Sequence, residues 1–346
     1  MASLSQLKRR LCNPTTFLRK RKVCSLVFCV ATGILFIKQL LIEGSQGQTV
    51  HQMTSPDVDL NAPKTTQIDY EKRQHDRLQR IRKYCNDSKN NAEIFHQFPK
   101  RNHFNFVVSD KHKFIICYVP KTGASQWKDS LLNILSIRPV TPNHDIDLFD
   151  YHLFKFLNSY KPKERQEKLA SYKKFFFVRE PFERLLSAYR DKFVGKTTKL
   201  YNKLGKDIVN KVRPSAGKTD SCVECSGPTF DEFTSYIDTL PNKATWDMHW
   251  RPAHQTCYPC AINYDYIGYF DTAKEDADYI LEKLHLDKEV KFPSFNGSRT
   301  PELLRGYYSQ IPLDRIIRIA EIYRTDFEMF GYKYPDPIKK LFRDWV

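Results

Sequence analysis

Residues able to bind and neutralise phosphate occur together at two places in the chain. The first is Pro120-Lys121-Thr122-Gly123-Ala124-Ser125-Gln126, directly after the apolar run Lys113–Val119 (KFIICYV). A loop of small residues that opens a helix turns backbone N–H groups toward an anion. Lys121 adds a charge, and Thr122 and Ser125 add hydroxyls. The spacing is not that of a Walker loop, because the lysine precedes the glycine; the competing reading is a plain strand-to-helix turn. The second place is Arg179-Glu180-Pro181-Phe182-Glu183-Arg184-Leu185-Leu186-Ser187, after the run Phe175–Val178. Arg179 falls where a parallel strand ends, the edge at which α/β proteins bind ligands. Arg184 and Ser187 share a helical face away from Leu185 and Leu186, and an arginine beside a serine can hold a second phosphate. The competing reading is a solvated helix carrying surface Arg–Glu pairs. His144, His152 and His249 are candidates for proton transfer near neutral pH.

Cysteines form a third pattern. Cys222-Val223-Glu224-Cys225 and Cys257-Tyr258-Pro259-Cys260 give C-x2-C twice, separated by 31 residues. That gap exceeds the roughly 15–20 residues common in structural zinc sites. With Cys85 and Cys117 they make six cysteines outside the N-terminal arm and the apolar run that follows it. An even number in an oxidising compartment points to disulfides rather than zinc or free thiols. The sequence leaves the pairing open.

The elements that must position these groups alternate between strand and helix. Lys113–Val119 reads as a buried strand, and Trp127, Leu131, Ile134 and Leu135 follow at helical spacing. Phe175–Val178 reads as a second strand. Pro181 stands at a helix start, and Phe182, Leu185, Leu186, Tyr189 and Phe193 make one helical face. Tyr266–Phe270 is a third strand candidate. Ile316, Ala320, Tyr323, Phe327 and Phe330 mark a late amphipathic helix. This order predicts an α/β fold with a mainly parallel central sheet flanked by helices. Tyr70–Tyr84 is highly charged and predicts a helix leading into the domain. Residues 43–94 read as a stem, rich in Gln, Thr, Pro, Asp and Ser over 43–69, and residues 95–346, roughly 250 in number, read as one domain.

Charge and hydropathy narrow the partners. Lys and Arg number 56 against 40 acids, a net charge of +16 that favours anionic ligands. Seven of the positive charges lie in residues 1–22, from Lys8 to Lys22, with no acid among them. The fifteen residues Val23–Ile37 then carry no charge, and Leu40, Leu41 and Ile42 extend the apolar run past Lys38. A mean hydropathy of −0.57 excludes a polytopic membrane protein but not one span. Residues 23–42 therefore predict a signal-anchor into the bilayer, with 1–22 cytoplasmic and the remainder lumenal. A cleaved signal peptide is the alternative, with Ala31-Thr32-Gly33 a poor cleavage site. Asn86-Asp87-Ser88 and Asn296-Gly297-Ser298 are glycosylation sequons, consistent with that topology.

Taken together, the segments resemble a known family. P-K-T-G-A-S-Q-W-K after a strand is similar to the 5′-phosphosulfate loop of Golgi carbohydrate sulfotransferases. F-F-F-V-R-E-P-F-E-R-L-L-S-A-Y-R-D-K-F is similar to their 3′-phosphate element. The branch resembled holds the chondroitin, dermatan and N-acetylgalactosamine 4-O-sulfotransferases and the glucuronyl 3-O-sulfotransferase of the natural killer epitope. His249-Trp250, Cys257-Tyr258-Pro259-Cys260, Asn263-Tyr264-Asp265 and Asp326-Phe327…Phe330-Gly331-Tyr332 extend the resemblance across roughly residues 85–335. Members often carry Cys and Asn where this loop has Ala124 and Gln126.

The resemblance implies a P-loop-like sulfotransferase fold in a type II Golgi membrane protein. The implied co-substrate is 3′-phosphoadenosine 5′-phosphosulfate, held by residues 120–126 and 179–187, and no metal is needed. The implied acceptor is a glycan, with the 4-hydroxyl of N-acetylgalactosamine favoured over the 3-hydroxyl of glucuronic acid. Lys121 would stabilise charge on the leaving oxygen. His152, between the two phosphate elements where this branch commonly carries a histidine, is the implied base, and His249 is the second candidate. A membrane-tethered glycosaminoglycan-binding protein without chemistry is the non-enzymatic alternative. The anchor, and the lack of a recognised motif, argue against a nucleic-acid partner, and missing Walker and kinase motifs argue against a kinase.

Overall fold

Alternate residues of the apolar runs face opposite ways in a strand, and here both directions are buried. The computed structural model describes residues 67–87, 105–137, 153–195, 198–213, 227–240, 246–294 and 299–333. In it β1 (Phe106–Ser109), β2 (Phe114–Cys117), β3 (Lys173–Val178) and β4 (Tyr266–Tyr269) form one sheet in the order β1-β2-β3-β4. β1 runs antiparallel to β2, while β2, β3 and β4 are mutually parallel. The register pairs Ile116 with Phe175 and Phe176 with Ile267.

Helices cover both faces. In chain order they are α1 (Gln67–Asn86), α2 (Ala124–Ile134), α3 (Pro162–Ser171), α4 (Pro181–Phe193), α5 (Lys199–Val212), α6 (Phe230–Asp238), α7 (Ala253–Cys257), α8 (Ala273–Lys283), α9 (Thr300–Tyr308), α10 (Leu313–Ile322) and α11 (Arg324–Phe330). On one face Ile116, Phe175 and Phe177 meet Trp127 and Leu131 of α2 and Ile280 of α8. On the other, Ile115, Phe176 and Val178 meet Ile81 of α1 and Met329 and Phe330 of α11. A third core gathers Phe182, Leu185 and Leu186 of α4 with Phe233 of α6, Trp250, Tyr308 of α9 and Ile319 of α10. The mixed α/β class and the parallel strand–helix order follow the sequence reading.

Several particulars differ from that reading. β1 was not expected. The late amphipathic helix is two helices, α10 and α11, meeting at Tyr323, whose hydroxyl is bonded to the Trp250 carbonyl. The helix expected at Tyr70–Tyr84 is α1, but it lies on the domain rather than leading up to it. Gln74 exchanges two hydrogen bonds with the backbone of Ile267, its Nε2 donating to the carbonyl at 3.1 Å and its Oε1 accepting from the N–H at 2.9 Å. β4 is the outer strand, so Gln74 satisfies a backbone pair that would otherwise be an open edge. The compact unit accordingly begins at Thr65.

The cysteines pair as Cys85–Cys260 and Cys117–Cys257, so neither cysteine of the second C-x2-C bonds within its motif. Cys222 and Cys225 lie outside the described residues, as do 23–42 and Asn296. No helix among the described residues is long and apolar enough to cross a membrane. Asn86 is exposed at the end of α1.

Candidate active site

The loop after β2 is built for close approach by a ligand. Lys121 and Gly123 both take positive φ, 72° and 87°. That backbone is uncommon for a residue with a side chain. Thr122 Oγ1 donates to the Val119 carbonyl at 2.7 Å and holds the turn. Gly123 caps α2 in the left-handed conformation, and the first N–H groups of a helix have no intrahelical acceptor. A Cβ on Gly123 would meet nothing nearer than Gln126 Oε1 at 4.0 Å, so the space over the loop is open. Trp127 fixes the helix behind it, with ring centroids 5.0 Å from Phe175, 5.2 Å from Phe177 and 5.0 Å from Phe292.

The element after β3 grips the same loop. Arg179 donates through Nη1 to the Lys121 carbonyl at 3.4 Å, and through Nε and Nη2 to Glu183 Oε2, each at 3.2 Å. Its guanidinium lies 4.1 Å from the centre of the Phe270 ring. Glu180 caps α4, its Oε2 accepting from the Glu183 N–H at 2.6 Å. Burial pushes the Glu180 carboxyl up to about 8. Glu180 Oε1 is buried with no hydrogen-bond partner among the described residues. Arg184 is fully buried and donates to three carbonyls: Pro120 at 3.0 Å, Arg251 at 2.7 Å and Met248 at 2.9 Å. It thus ties the first loop, α4 and the segment 246–251 into one body.

That third segment brings His249. Its Nδ1 lies 2.7 Å from Asp247 Oδ1 and 3.0 Å from the Tyr201 hydroxyl, which donates to Asp247 Oδ2 at 2.9 Å. With Asp247 accepting from Nδ1–H, Nε2 is the nitrogen with a lone pair. Burial lowers the His249 pKa, opposed by Asp247 and assisted by the positive charges of Lys192 and Lys121. Lys121 Nζ pairs with Asp191 Oδ2 at 3.3 Å, and Lys192 Nζ approaches the same oxygen at 3.0 Å. Burial lowers the Lys121 pKa, with Asp191 opposing. A neutral imidazole and a partly buried ammonium thus stand in one electrostatic field, at the C-terminal edge of the parallel strands. Cys117–Cys257 links the end of β2 to α7 and so braces the two sides of this site.

Residues 104–333 match the profile of the sulfotransferase family. The chain belongs to that family. It is 34% identical to carbohydrate sulfotransferase 9 of Homo sapiens over 294 residues, 83% of this chain and 65% of the relative. It is 37% identical to carbohydrate sulfotransferase 14 of Danio rerio over 238 residues, 67% and 63% respectively. It is 32% identical to carbohydrate sulfotransferase 11 of Mus musculus over 243 residues, 68% and 69%. The chain thus spans just under two thirds of the first two relatives. No solved structure matches it.

Within this sulfotransferase-family domain the structure brings together Lys121, Arg179 and His249 from three segments. Ser187 is half-buried on α4, and Ser125 is exposed on the first turn of α2. Phe182, Leu185 and Leu186, grouped with the phosphate element in the sequence, turn their side chains into the third core. Arg184, expected to face phosphate, instead spends its donors on backbone carbonyls. His144 and His152 lie outside the described residues. Sequence reading missed Asp191, Lys192, Tyr201 and Asp247. Asp247 stands two residues before His249, a spacing that could have flagged it; Tyr201 is 48 residues away and carried no such signal. No metal-holding group of His, Cys, Asp and Glu occurs among the described residues.

Proposed function

We propose that this protein is a carbohydrate O-sulfotransferase that uses 3′-phosphoadenosine 5′-phosphosulfate. The observation that carries the reading is the convergence of the Lys121 loop, Arg179 and His249 on one strand edge, in a chain of the sulfotransferase family. Residues 120–126 would hold the 5′ side of the nucleotide, with Lys121 opposite the leaving oxygen. Arg179 and Ser187 would hold the 3′-phosphate. The open space over Gly123 suits a ligand there. The donor supplies a sulfuryl group, which an acceptor hydroxyl takes at sulfur as the bond to the nucleotide phosphate breaks. His249, neutral and oriented by Asp247, would accept the hydroxyl proton at Nε2. His152 remains the other candidate base, by its place between the two phosphate elements. The favoured acceptor is the 4-hydroxyl of N-acetylgalactosamine in chondroitin, dermatan or a terminal glycan, with the 3-hydroxyl of glucuronic acid the alternative. The setting is the Golgi lumen, with residues 23–42 as a type II anchor.

The test is incubation of the full-length protein with radiolabelled donor and a panel of desulfated glycans, followed by disaccharide analysis. Label on the 4-position of N-acetylgalactosamine is the expected result. Label on glucuronic acid would move the acceptor, and no transfer to any glycan would overturn the reading.

A further inference from the structure

Arg179 is already engaged by a carboxylate. Glu183 Oε2 accepts from both Nε and Nη2 at 3.2 Å, and the Arg179 side chain is only 2% exposed. Two more carboxylates act on the same guanidinium: Glu180 from the cap of α4, and Asp271, two residues past β4. Tyr308 of α9 shares the electrostatic field of Glu180 and Glu183, Tyr332 that of Glu180 and Asp271, and Arg77 of α1 acts on Asp271. Burial raises the pKa of Glu183, with Arg179 opposing and Asp271 adding to the rise. A phosphate cannot take the paired Nε–H and Nη2–H that face Glu183 while Glu183 holds them. Once released, Glu183 would be a half-buried carboxylate beside Asp271 and a dianion, without its counter-charge.

We infer that Glu183 is a placeholder for phosphate on Arg179, displaced when the nucleotide's 3′-phosphate binds and protonated as it leaves. The inference rests on the functional reading, in which Arg179 takes that phosphate. Glu183 is thereby a positioning residue: it holds the arginine fork ready and links capture of the nucleotide to proton uptake. The sign follows from linkage. A group whose pKa is higher in the complex than in the free protein takes up protons on binding, so affinity falls as pH rises between the two values.

The experiment is calorimetric titration of the full-length protein with 3′-phosphoadenosine 5′-phosphate at pH 7.5, in buffers of different ionisation enthalpy. The ligand's own phosphate, with a second pKa of about 6, is then largely ionised. The expected result is net proton uptake with this ligand and much less with adenosine 5′-monophosphate, which lacks the 3′-phosphate. Glu183→Gln should lessen the uptake, flatten the fall of affinity toward pH 8.5, and bind more tightly there. The gain is about tenfold for each unit by which Glu183 is displaced upward in the complex. Glu180→Gln, measured in parallel, separates the neighbouring acid. Equal uptake with both ligands, or weaker binding by a folded Glu183→Gln protein at pH 8.5, would overturn the inference alone. Failure of the unsubstituted protein to bind the nucleotide would overturn the functional reading and the inference together.

Discussion

At the scale of single residues, two arginines five positions apart do different work. Arg179 reaches a neighbouring loop, a carboxylate and an aromatic face, whereas Arg184 reaches only backbone carbonyls. Arg179→Ala should therefore weaken binding of 3′-phosphoadenosine 5′-phosphate by roughly one to two powers of ten, from the charged hydrogen bonds lost. Arg184→Ala removes the donor from one buried and two part-buried carbonyls, at about 1–3 kcal/mol for the buried one and less for the others. It should lower the melting temperature far more than Arg179→Ala does, and thermal melting alongside nucleotide titration separates the two. His249 makes a second contrast. His249→Ala should cut kcat about 10²–10⁴-fold with nucleotide affinity nearly intact. Burial places its pKa below the ordinary histidine value, so a base at this position would be lost only as pH falls through that lowered pKa. The acid limb of kcat should accordingly lie below about 6.5. A His152→Ala protein measured beside it decides between the two histidines: a collapse of kcat there, with His249→Ala near normal, would transfer the role. Lys121 and Arg179 stood out as candidates for phosphate because each lies within a contiguous motif. Arg184 was not, because its acceptors are carbonyls 64 and 67 residues away and leave no mark on side-chain identity.

At the scale of elements, β2, β3 and β4 were legible from apolar runs bounded by turn residues, and their boundaries moved by one or two residues. β1 is four residues long and pairs antiparallel at the sheet margin. A run so short carries no periodicity that separates it from a loop. The division of α10 from α11 was equally hidden, since the apolar spacing continues across Tyr323. Close packing between strands supplies a sharp test. A Cβ on Gly268 of β4 would lie 2.1 Å from Phe177 on β3, inside a ring that has no room to move. Gly268→Ala should destabilise the domain by about 1–3 kcal/mol through overpacking, seen as a lower denaturant midpoint. A midpoint unchanged from the parent would show that the two strands are not so closely apposed. Cys117→Ser with Cys257→Ser should cost about 2–5 kcal/mol. It should also lower kcat in the fraction that stays folded, because the bridge braces the Lys121 loop against the segment carrying His249.

At the scale of the whole molecule, the question is where the domain begins. Sequence reading put the boundary at residue 95, because α1 is so highly charged that its outward face dominates its composition. Its inward face mixes buried polar residues, Gln74 and Arg77, with the apolar Ile81 and Cys85, and the partners are distant: Gln74 on the backbone of Ile267, Cys85 bonded to Cys260, and Arg77 Nη1 2.8 Å from the fully buried Asp276 Oδ1. Arg77 also donates to the Ile267 carbonyl at 2.9 Å and stacks 4.0 Å from the Tyr269 ring centre. Removing α1 deletes one disulfide, worth about 2–5 kcal/mol. It also strips Asp276 of its counter-charge, at about 3–5 kcal/mol for a buried carboxylate left alone. Domains of this kind carry only about 5–15 kcal/mol in all. A chain begun at Thr65 should therefore melt as the full-length protein does, whereas one begun at residue 95 should be recovered unfolded or aggregated. Arg77→Met, which keeps α1 and its disulfide, isolates the buried pair and should lie between the two in melting temperature. If the chain begun at residue 95 melts cooperatively near the parent temperature, α1 is an appendage and the edge of β4 is closed by something else.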